Sequence, residues 1–511
     1  MEIKVRDSNA ERIKTDLLVI PVREKKLDDA LIRTVDRRLR GNLRARMQKS
    51  KFTGAEGATL IYQTAGLLPA AQLLLIGLGG GAEITGETWR KVGARARKEA
   101  GALGAQDIAV FFSPDKDSAI AGSALVEGAL LAAYQFNKYR SNSKPSAEVK
   151  SFTLFNSGLR STAALMRSIE IAQIVVSGVS LARDLVNEPP SVTTARFLGE
   201  QAQKYCRGRG LSAEVWDKRK IESMQLAGLL AVNRGSHEEP RFIKIHYKPA
   251  GKPKKKVVLI GKGITFDSGG LSLKPSKSME TMKLDMAGGA AVIAAMSCLP
   301  KLGFDIDVTG YVPTTDNLPG DNAQKPGDVI RYRNGKTIEV LNTDAEGRLI
   351  LADALALGGE QNPDYMINLA TLTGACMVAL GTQVGGLFSN HQPLADTLLR
   401  CAGEAGEKLW QLPLVKEYKE MIKSSVADMK NIGGSHGGAI TAALILQEFV
   451  GEVPWAHLDI AGPAFAESDN ALGPKGGTGF GVRTLLKFLS ALSGGPGYGK
   501  NHRGRRQQFR S

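Results

Sequence analysis

The chain has 511 residues, 43% apolar and 23% charged. That is the composition of an ordinary globular protein with two or three domains and a core large enough to need no staples. Its 67 basic and 51 acidic side chains leave a net charge of +16, compatible with a polyanion partner or with a merely well-solvated surface. Four cysteines (Cys206, Cys298, Cys376, Cys401) show no CxxC or ladder spacing, which argues against a zinc knuckle or disulfide framework and for reduced thiols in a cytoplasmic protein.

The opening Met1-Glu2-Ile3-Lys4-Val5-Arg6 has charges that break any apolar run, so no signal peptide is expected. No uninterrupted apolar stretch reaches about 18 residues, and no membrane partner is expected. Leu17-Leu18-Val19-Ile20-Pro21-Val22 and Leu73-Leu74-Leu75-Ile76-Gly77 are short buried-strand runs, the second followed by a glycine-rich turn and a helical stretch near Thr88–Gly101. Strands alternating with helices predict a parallel, covered sheet, and hence a smaller N-terminal α/β domain over residues 1–165. The turn Gly77-Leu78-Gly79-Gly80-Gly81-Ala82 fits the loose dinucleotide pattern GxGxxA. About twenty residues on, where a ribose-binding acid belongs, stands the mainly basic Arg95-Ala96-Arg97-Lys98-Glu99-Ala100. A tight strand-to-helix turn is therefore the preferred reading.

An apolar helix around Ser168–Val186 ends at Asn187-Glu188-Pro189-Pro190, where paired prolines stop it. Residues 166–190 are taken as the connection between domains. A larger C-terminal α/β domain is expected over residues 191–492, with a mixed, mainly parallel sheet flanked by helices. Its strand candidates are Val257–Ile260, Ile306–Val312 and Tyr365–Leu369. Residues 493–511 begin with a Gly/Ser/Pro-rich stretch and carry Lys500, Arg503, Arg505, Arg506 and Arg510 without an acid. They read as a disordered, solvated tail.

The unusual chemistry lies between Lys262 and Arg348. Gly261-Lys262-Gly263-Ile264-Thr265-Phe266-Asp267-Ser268-Gly269-Gly270 follows a buried strand, so Lys262 and Asp267 fall where α/β sheets build sites, at a carboxyl end. Lys274-Pro275 comes next, and Met282-Lys283-Leu284-Asp285-Met286-Ala287-Gly288-Gly289 opens an Ala-rich helix. Asn342-Thr343-Asp344-Ala345-Glu346-Gly347-Arg348-Leu349 lies between the strand-like Thr337–Leu341 and a helix over Ile350–Leu357. Each carboxylate alone is more often a cap or surface group than a catalyst. Together, Asp267, Asp285, Asp344 and Glu346 are hard oxygen ligands that would repel one another in one cleft unless cations lay between them. Two divalent ions meet that need, and manganese, magnesium or zinc suits oxygen ligands. The six histidines are scattered, with no HExxH, and no GxSxG elbow is present; neither a histidine zinc site nor a serine hydrolase is supported.

These motifs resemble those of the leucine aminopeptidase (cytosol aminopeptidase) family, and the eight residues Asn342–Leu349 match its signature. The resemblance extends through Arg183-Asp184-Leu185-Val186-Asn187-Glu188-Pro189-Pro190, Asp428-Met429-Lys430-Asn431, His457-Leu458-Asp459-Ile460-Ala461-Gly462-Pro463 and Thr478-Gly479-Phe480-Gly481-Val482-Arg483. It implies a metal-dependent enzyme that hydrolyses the N-terminal residue, preferentially Leu or another apolar one, from peptides by way of a water bridging two divalent ions (manganese or zinc). In that scheme Asp267 and Glu346 bridge the metals, Lys262 and Asp285 complete one site, and Asp344 completes the other. Lys274 stabilises the tetrahedral oxyanion, and Arg348 holds a bicarbonate ion acting as general base. Met282, Thr371, Gly374 and Ala464 match positions lining the first side-chain pocket. A homohexamer is also implied. A nucleic-acid-binding role is the competing expectation, resting on the net charge, the tail and Lys252-Pro253-Lys254-Lys255-Lys256, which an exposed loop before a strand explains equally well.

Overall fold

The structure is a computed structural model that describes every residue except 82–83, 113–117, 142–147, 158, 160–162, 209 and 495–511. The chain divides into two compact α/β units. The first comprises Met1–Val176 with Ala471–Gly473; the second comprises Ser177–Asn470 and the chain from Pro474 through the last described helix. The helix Ala163–Asn187 carries the chain from one to the other.

In the first unit, Leu17 to Ile20 are fully buried. Their strand, Thr15–Val22, pairs in parallel with both Ala70–Gly77 and Asp107–Phe111. Alternate residues serve opposite faces, as the period of a strand requires. Leu17 and Val19 join Leu74, Ile108 and Val110 in the core under the helices Gly86–Leu103 and Ser118–Ala132. Leu18 and Ile20 join Leu73, Leu75 and Ala109 in the core under Ala30–Arg38 and Asn42–Lys49. Four of the five pairings in this six-stranded sheet are parallel; the edge strand Thr59–Gln63 is antiparallel. A Cβ on Gly77 would lie 1.9 Å from the Ala55 carbonyl oxygen. That glycine thus serves close backbone packing, as a strand-to-helix turn requires.

The second unit is built on a nine-stranded mixed sheet. Four neighbouring strands at its centre, Trp455–Asp459, Tyr365–Ala370, Lys256–Gly261 and Asp307–Asn317, run parallel. Antiparallel pairings extend both sides: Val384–Ser389 on one, Arg241–Tyr247 and then Leu211–Trp216 on the other. The carboxyl ends of the four central strands deliver Asp459, Thr371, Lys262 and Asn317 to one edge of the sheet, where open α/β sheets place their sites. Helix Ala287–Leu302 packs on the sheet backbone to backbone: a Cβ on Gly288 would lie 2.2 Å from the Leu369 carbonyl oxygen, and one on Gly261 2.4 Å from that of Gly288.

One element departs from expectation. Gly263–Asp267, not among the expected strands, is a strand parallel to Asp307–Asn317. Two helical segments, Ala163–Asn187 and Met282–Leu302, are long and apolar enough to cross a membrane by length and composition. In the second, 83% of the most apolar window is buried in the fold, as in a core helix. The basic tail expected to be disordered lies, from residue 495 on, outside the described residues.

Candidate metal centre

Lys262 sits at the break between Lys256–Gly261 and Gly263–Asp267 and is 3% exposed. Its backbone N–H donates to Leu369 (3.0 Å), and its carbonyl accepts from Gly289 N–H (2.7 Å). The neighbouring strand and the helix start therefore both fix its position. Asp267 ends the next strand, and a β-bulge separates the pairs Ile264–Thr315 and Asp267–Asn317; bulges re-aim side chains beside sites. Asp285 lies in the single 3₁₀ turn Met282–Met286 before the core helix. Asp344 and Glu346 lie just before helix Gly347–Gly359.

These residues converge. One ligand oxygen from each of Asp267, Asp344 and Glu346 lies within 4.8 Å of the other two, the one such His/Cys/Asp/Glu group among the described residues. Lys262 Nζ is 2.7 Å from Asp285 Oδ2 and 2.8 Å from Glu346 Oε1. Lys274 Nζ is 2.9 Å from Asp267 Oδ2 and 2.5 Å from Asp344 Oδ1. Glu346 Oε2 is buried with no hydrogen-bond partner among the described residues. Arg348 donates through Nη1 to the Asn431 carbonyl (2.8 Å), while its buried Nε has no hydrogen-bond partner among the described residues.

The charge balance is poor without cations. Four carboxyls face two ammonium groups, and burial pushes the Asp285, Glu346 and Asp344 carboxyls above their ordinary range; Asp267 adds to the rise in all three. Burial works against the Lys262 ammonium, yet Asp285, Glu346 and Asp267 outweigh it and hold it above its usual value. Lys274 is raised against burial in the same way, chiefly by Asp267. Burial lowers the Arg348 guanidinium to about 10, against the opposing pull of Glu346. An orphaned carboxylate oxygen, hard donors and crowded negative charge together fit divalent cations.

Of the four expected pocket residues, Thr371 is placed most firmly: its hydroxyl donates to Asp285 Oδ1 at 2.7 Å. Met282 opens the 3₁₀ turn that carries Asp285. Gly374 is the exposed first residue of helix Gly374–Leu380, and Ala464 is buried. Asp459, to which the sequence assigned no role, joins the loops carrying these residues. Its carboxylate accepts from Leu372 N–H (3.2 Å), Thr373 Oγ1 (2.6 Å) and Ala461 N–H (3.2 Å).

Two buried asparagines were also missed. Asn317 Nδ2 donates to Asp267 Oδ1 (2.8 Å) and to the Thr343 carbonyl (3.0 Å). Asn431 Oδ1 accepts from Leu341 N–H (2.8 Å) and Asn342 N–H (3.2 Å), and its Nδ2 donates to the Asn342 carbonyl (2.6 Å). In the sequence Asn317 lies beyond the strand candidate Ile306–Val312, and Asn431 closes one of the motifs that carry the resemblance.

The lysine run before Lys256–Gly261 is largely engaged within the unit. Lys255 pairs with Asp364 (2.8 Å), Lys254 with Asp305 (3.6 Å), and Lys256 Nζ donates to the Gln361 carbonyl (2.7 Å). All four cysteines are buried.

Comparison with known proteins places these observations in a lineage. Residues 180–486 match the family model described as the catalytic domain of the cytosol aminopeptidase family, and residues 19–143 match its N-terminal domain. A probable cytosol aminopeptidase of Syntrophotalea carbinolica is 43% identical, the alignment covering 96% of this chain and 99% of that one. One from Geobacter sulfurreducens is 42% identical over the same shares. Among solved structures, a lysine-to-glutamate mutant of tomato leucine aminopeptidase superposes with a TM-score of 0.88 at 36% identity, over 96% of each chain. The bottromycin maturation enzyme BotP in complex with Mn superposes with a TM-score of 0.83 at 35% identity, over 94% of this chain and all of that one.

Proposed function

The chain belongs to the cytosol aminopeptidase family of metal-dependent aminopeptidases, and from that premise we propose that it removes N-terminal residues, preferentially Leu or other apolar ones, at a two-metal centre. The observation that carries the reading is the convergence of Asp267, Asp344 and Glu346, with one Glu346 oxygen buried and without a hydrogen-bond partner among the described residues.

Asp267 and Glu346 would contact both ions, Lys262 and Asp285 would complete one site, and Asp344 the other. Two divalent ions held there, manganese or zinc, would lower the pKa of a water between them and polarise the scissile carbonyl. Lys262 would have to lose its proton to ligate, a change that a neighbouring dication favours. Lys274 keeps its proton and offers an ammonium to the developing oxyanion. Arg348 would hold bicarbonate as the general base, its buried Nε having no hydrogen-bond partner among the described residues. Met282, Thr371, Gly374 and Ala464 would form the first side-chain pocket. An apolar wall separates side chains differing by one methylene by only about 1–3 kcal/mol, so specificity is broad. We further propose a homohexamer acting in the cytoplasm on peptide substrates.

The free α-amine is the feature that separates an exopeptidase from an endopeptidase. Leucine amide and N-acetyl-leucine amide, assayed side by side with manganese-loaded protein, test it. The first is hydrolysed and the second is not; equal rates on both would refute the reading. Light scattering tests the hexamer.

A further inference from the structure

Asp267 presents two different oxygens. Oδ1 accepts from Gly269 N–H (2.9 Å) and Asn317 Nδ2 (2.8 Å), while Oδ2 faces Lys274 Nζ (2.9 Å). Both lone-pair positions of Oδ1 are thus filled by neutral protein donors. The oxygen left for a cation is Oδ2.

Asn317 is well built for this task. It is 1% exposed, ends the strand Asp307–Asn317, and stands in register with Asp267 across the bulge. Its two amide protons are divided between Asp267 Oδ1 and the Thr343 carbonyl (3.0 Å). One side chain therefore ties Asp267, from one strand end, to the residue before Asp344. Its backbone carbonyl accepts from Ser268 N–H (3.1 Å) and Ser268 Oγ (2.7 Å), holding the turn that follows Asp267. The space is tight: a Cβ on Gly270 would lie 2.8 Å from Asn317 Oδ1. Only a neutral group with two protons on one atom serves a carboxylate and a carbonyl together at this size. Aspartate would add a fifth carboxylate to the cluster, and leucine would leave Oδ1 and the Thr343 carbonyl short of a donor.

We propose that Asn317 is a positioning residue for the metal centre: it selects Oδ2 of Asp267 as the cation-facing oxygen and sets the spacing between Asp267 and the Asp344–Glu346 loop. The proposal rests on the reading that Asp267 holds a metal. Outer-sphere hydrogen bonds to ligands typically change metal affinity or activity by 10–100-fold when lost.

The test is titration of manganese(II) into metal-stripped full-length protein, followed by calorimetry, for wild type, Asn317→Leu, Asn317→Asp, Asn317→Ser and the control Asp267→Asn. Thermal melts of the metal-free proteins run in parallel. Asn317→Leu and Asn317→Asp are expected to weaken manganese binding by about 10–100-fold. Asn317→Ser, which keeps one donor, should fall between them and wild type, and the metal-free melt of the serine variant should stay close to wild type. A merely structural role would shift the melts and leave the manganese affinity of the folded protein unchanged. Wild-type affinity in the serine and leucine variants, with Asp267→Asn clearly weakened, overturns the role of Asn317. Wild-type affinity in Asp267→Asn overturns the metal reading itself. If the leucine and aspartate variants do not fold, the serine variant decides alone: wild-type affinity there refutes the proposal, and a loss supports it.

Discussion

Gly347 lies against the side chain of Lys262: a Cβ on it would come within 2.6 Å of Lys262 Cε and 2.8 Å of Nζ. The glycine between Glu346 and Arg348 is therefore the space that lets a lysine from the far end of another strand reach Asp285 and Glu346.

Gly347→Ala is accordingly a clean probe of the site. Gly347 begins a helix without a positive φ, so alanine suits its backbone. The added methyl group must displace Lys262, and a shift of about 1 Å at a reacting group costs on the order of 10²-fold in rate. Turnover is expected to fall by about that factor, with the melting temperature nearly unchanged. Wild-type turnover in a folded variant would show that the position of Lys262 is unimportant.

The two lysines are expected to separate. Lys274→Ala would remove the proposed oxyanion donor and should lower turnover by about 10²–10³, with metal content near normal. Lys262→Ala would remove a proposed ligand and should lower occupancy of one metal. Metal analysis of both variants beside their kinetics checks this. Metal loss on Lys274→Ala together with full content on Lys262→Ala would mean that the roles are reversed.

Much of the carboxylate cluster could be read from the chain because its members are local in sequence. Asp344, Glu346 and Arg348 sit within five residues before and into one helix, and Lys262 precedes and Asp267 ends one short strand. The strand Gly263–Asp267 itself was hidden, because glycines at both ends of an apolar run look like a turn until Asp307–Asn317 pairs with it. Asn317, Asn431 and Asp459 were hidden for another reason. Asn317 reaches back 50 residues to Asp267, Asn431 contacts Asn342, 89 residues away, and Asp459 contacts Thr373, 86 residues away. A lone polar residue carries no local periodicity, and only the folded sheet shows which carboxylate or loop it holds.

His457 supplies a pH prediction. It is fully buried in a central strand, its Nδ1 2.9 Å from Asn368 Nδ2, and burial lowers its pKa from 6.5 to about 3. The folded state thus binds the proton less tightly than the unfolded chain does. The stability from keeping this ring neutral is complete above about pH 6.5 and is lost as pH falls toward 3. His457→Gln is expected to lower stability at neutral pH and to flatten its decline across that window, as measured by urea unfolding at stepped pH. An unchanged slope would exclude His457 as a source of acid sensitivity.

Lys262, Asp267, Asp285, Asp344 and Glu346 are the residues proposed to hold divalent cations. The most direct measurement is hydrolysis of leucine amide by protein stripped with a chelator, with single metals then added back. Activity is expected to disappear on stripping and to return with manganese or another divalent ion. It should not return when Asp344→Asn or Glu346→Gln is given the same metal concentration. Full turnover by rigorously metal-free protein would exclude a role for metal in the reaction.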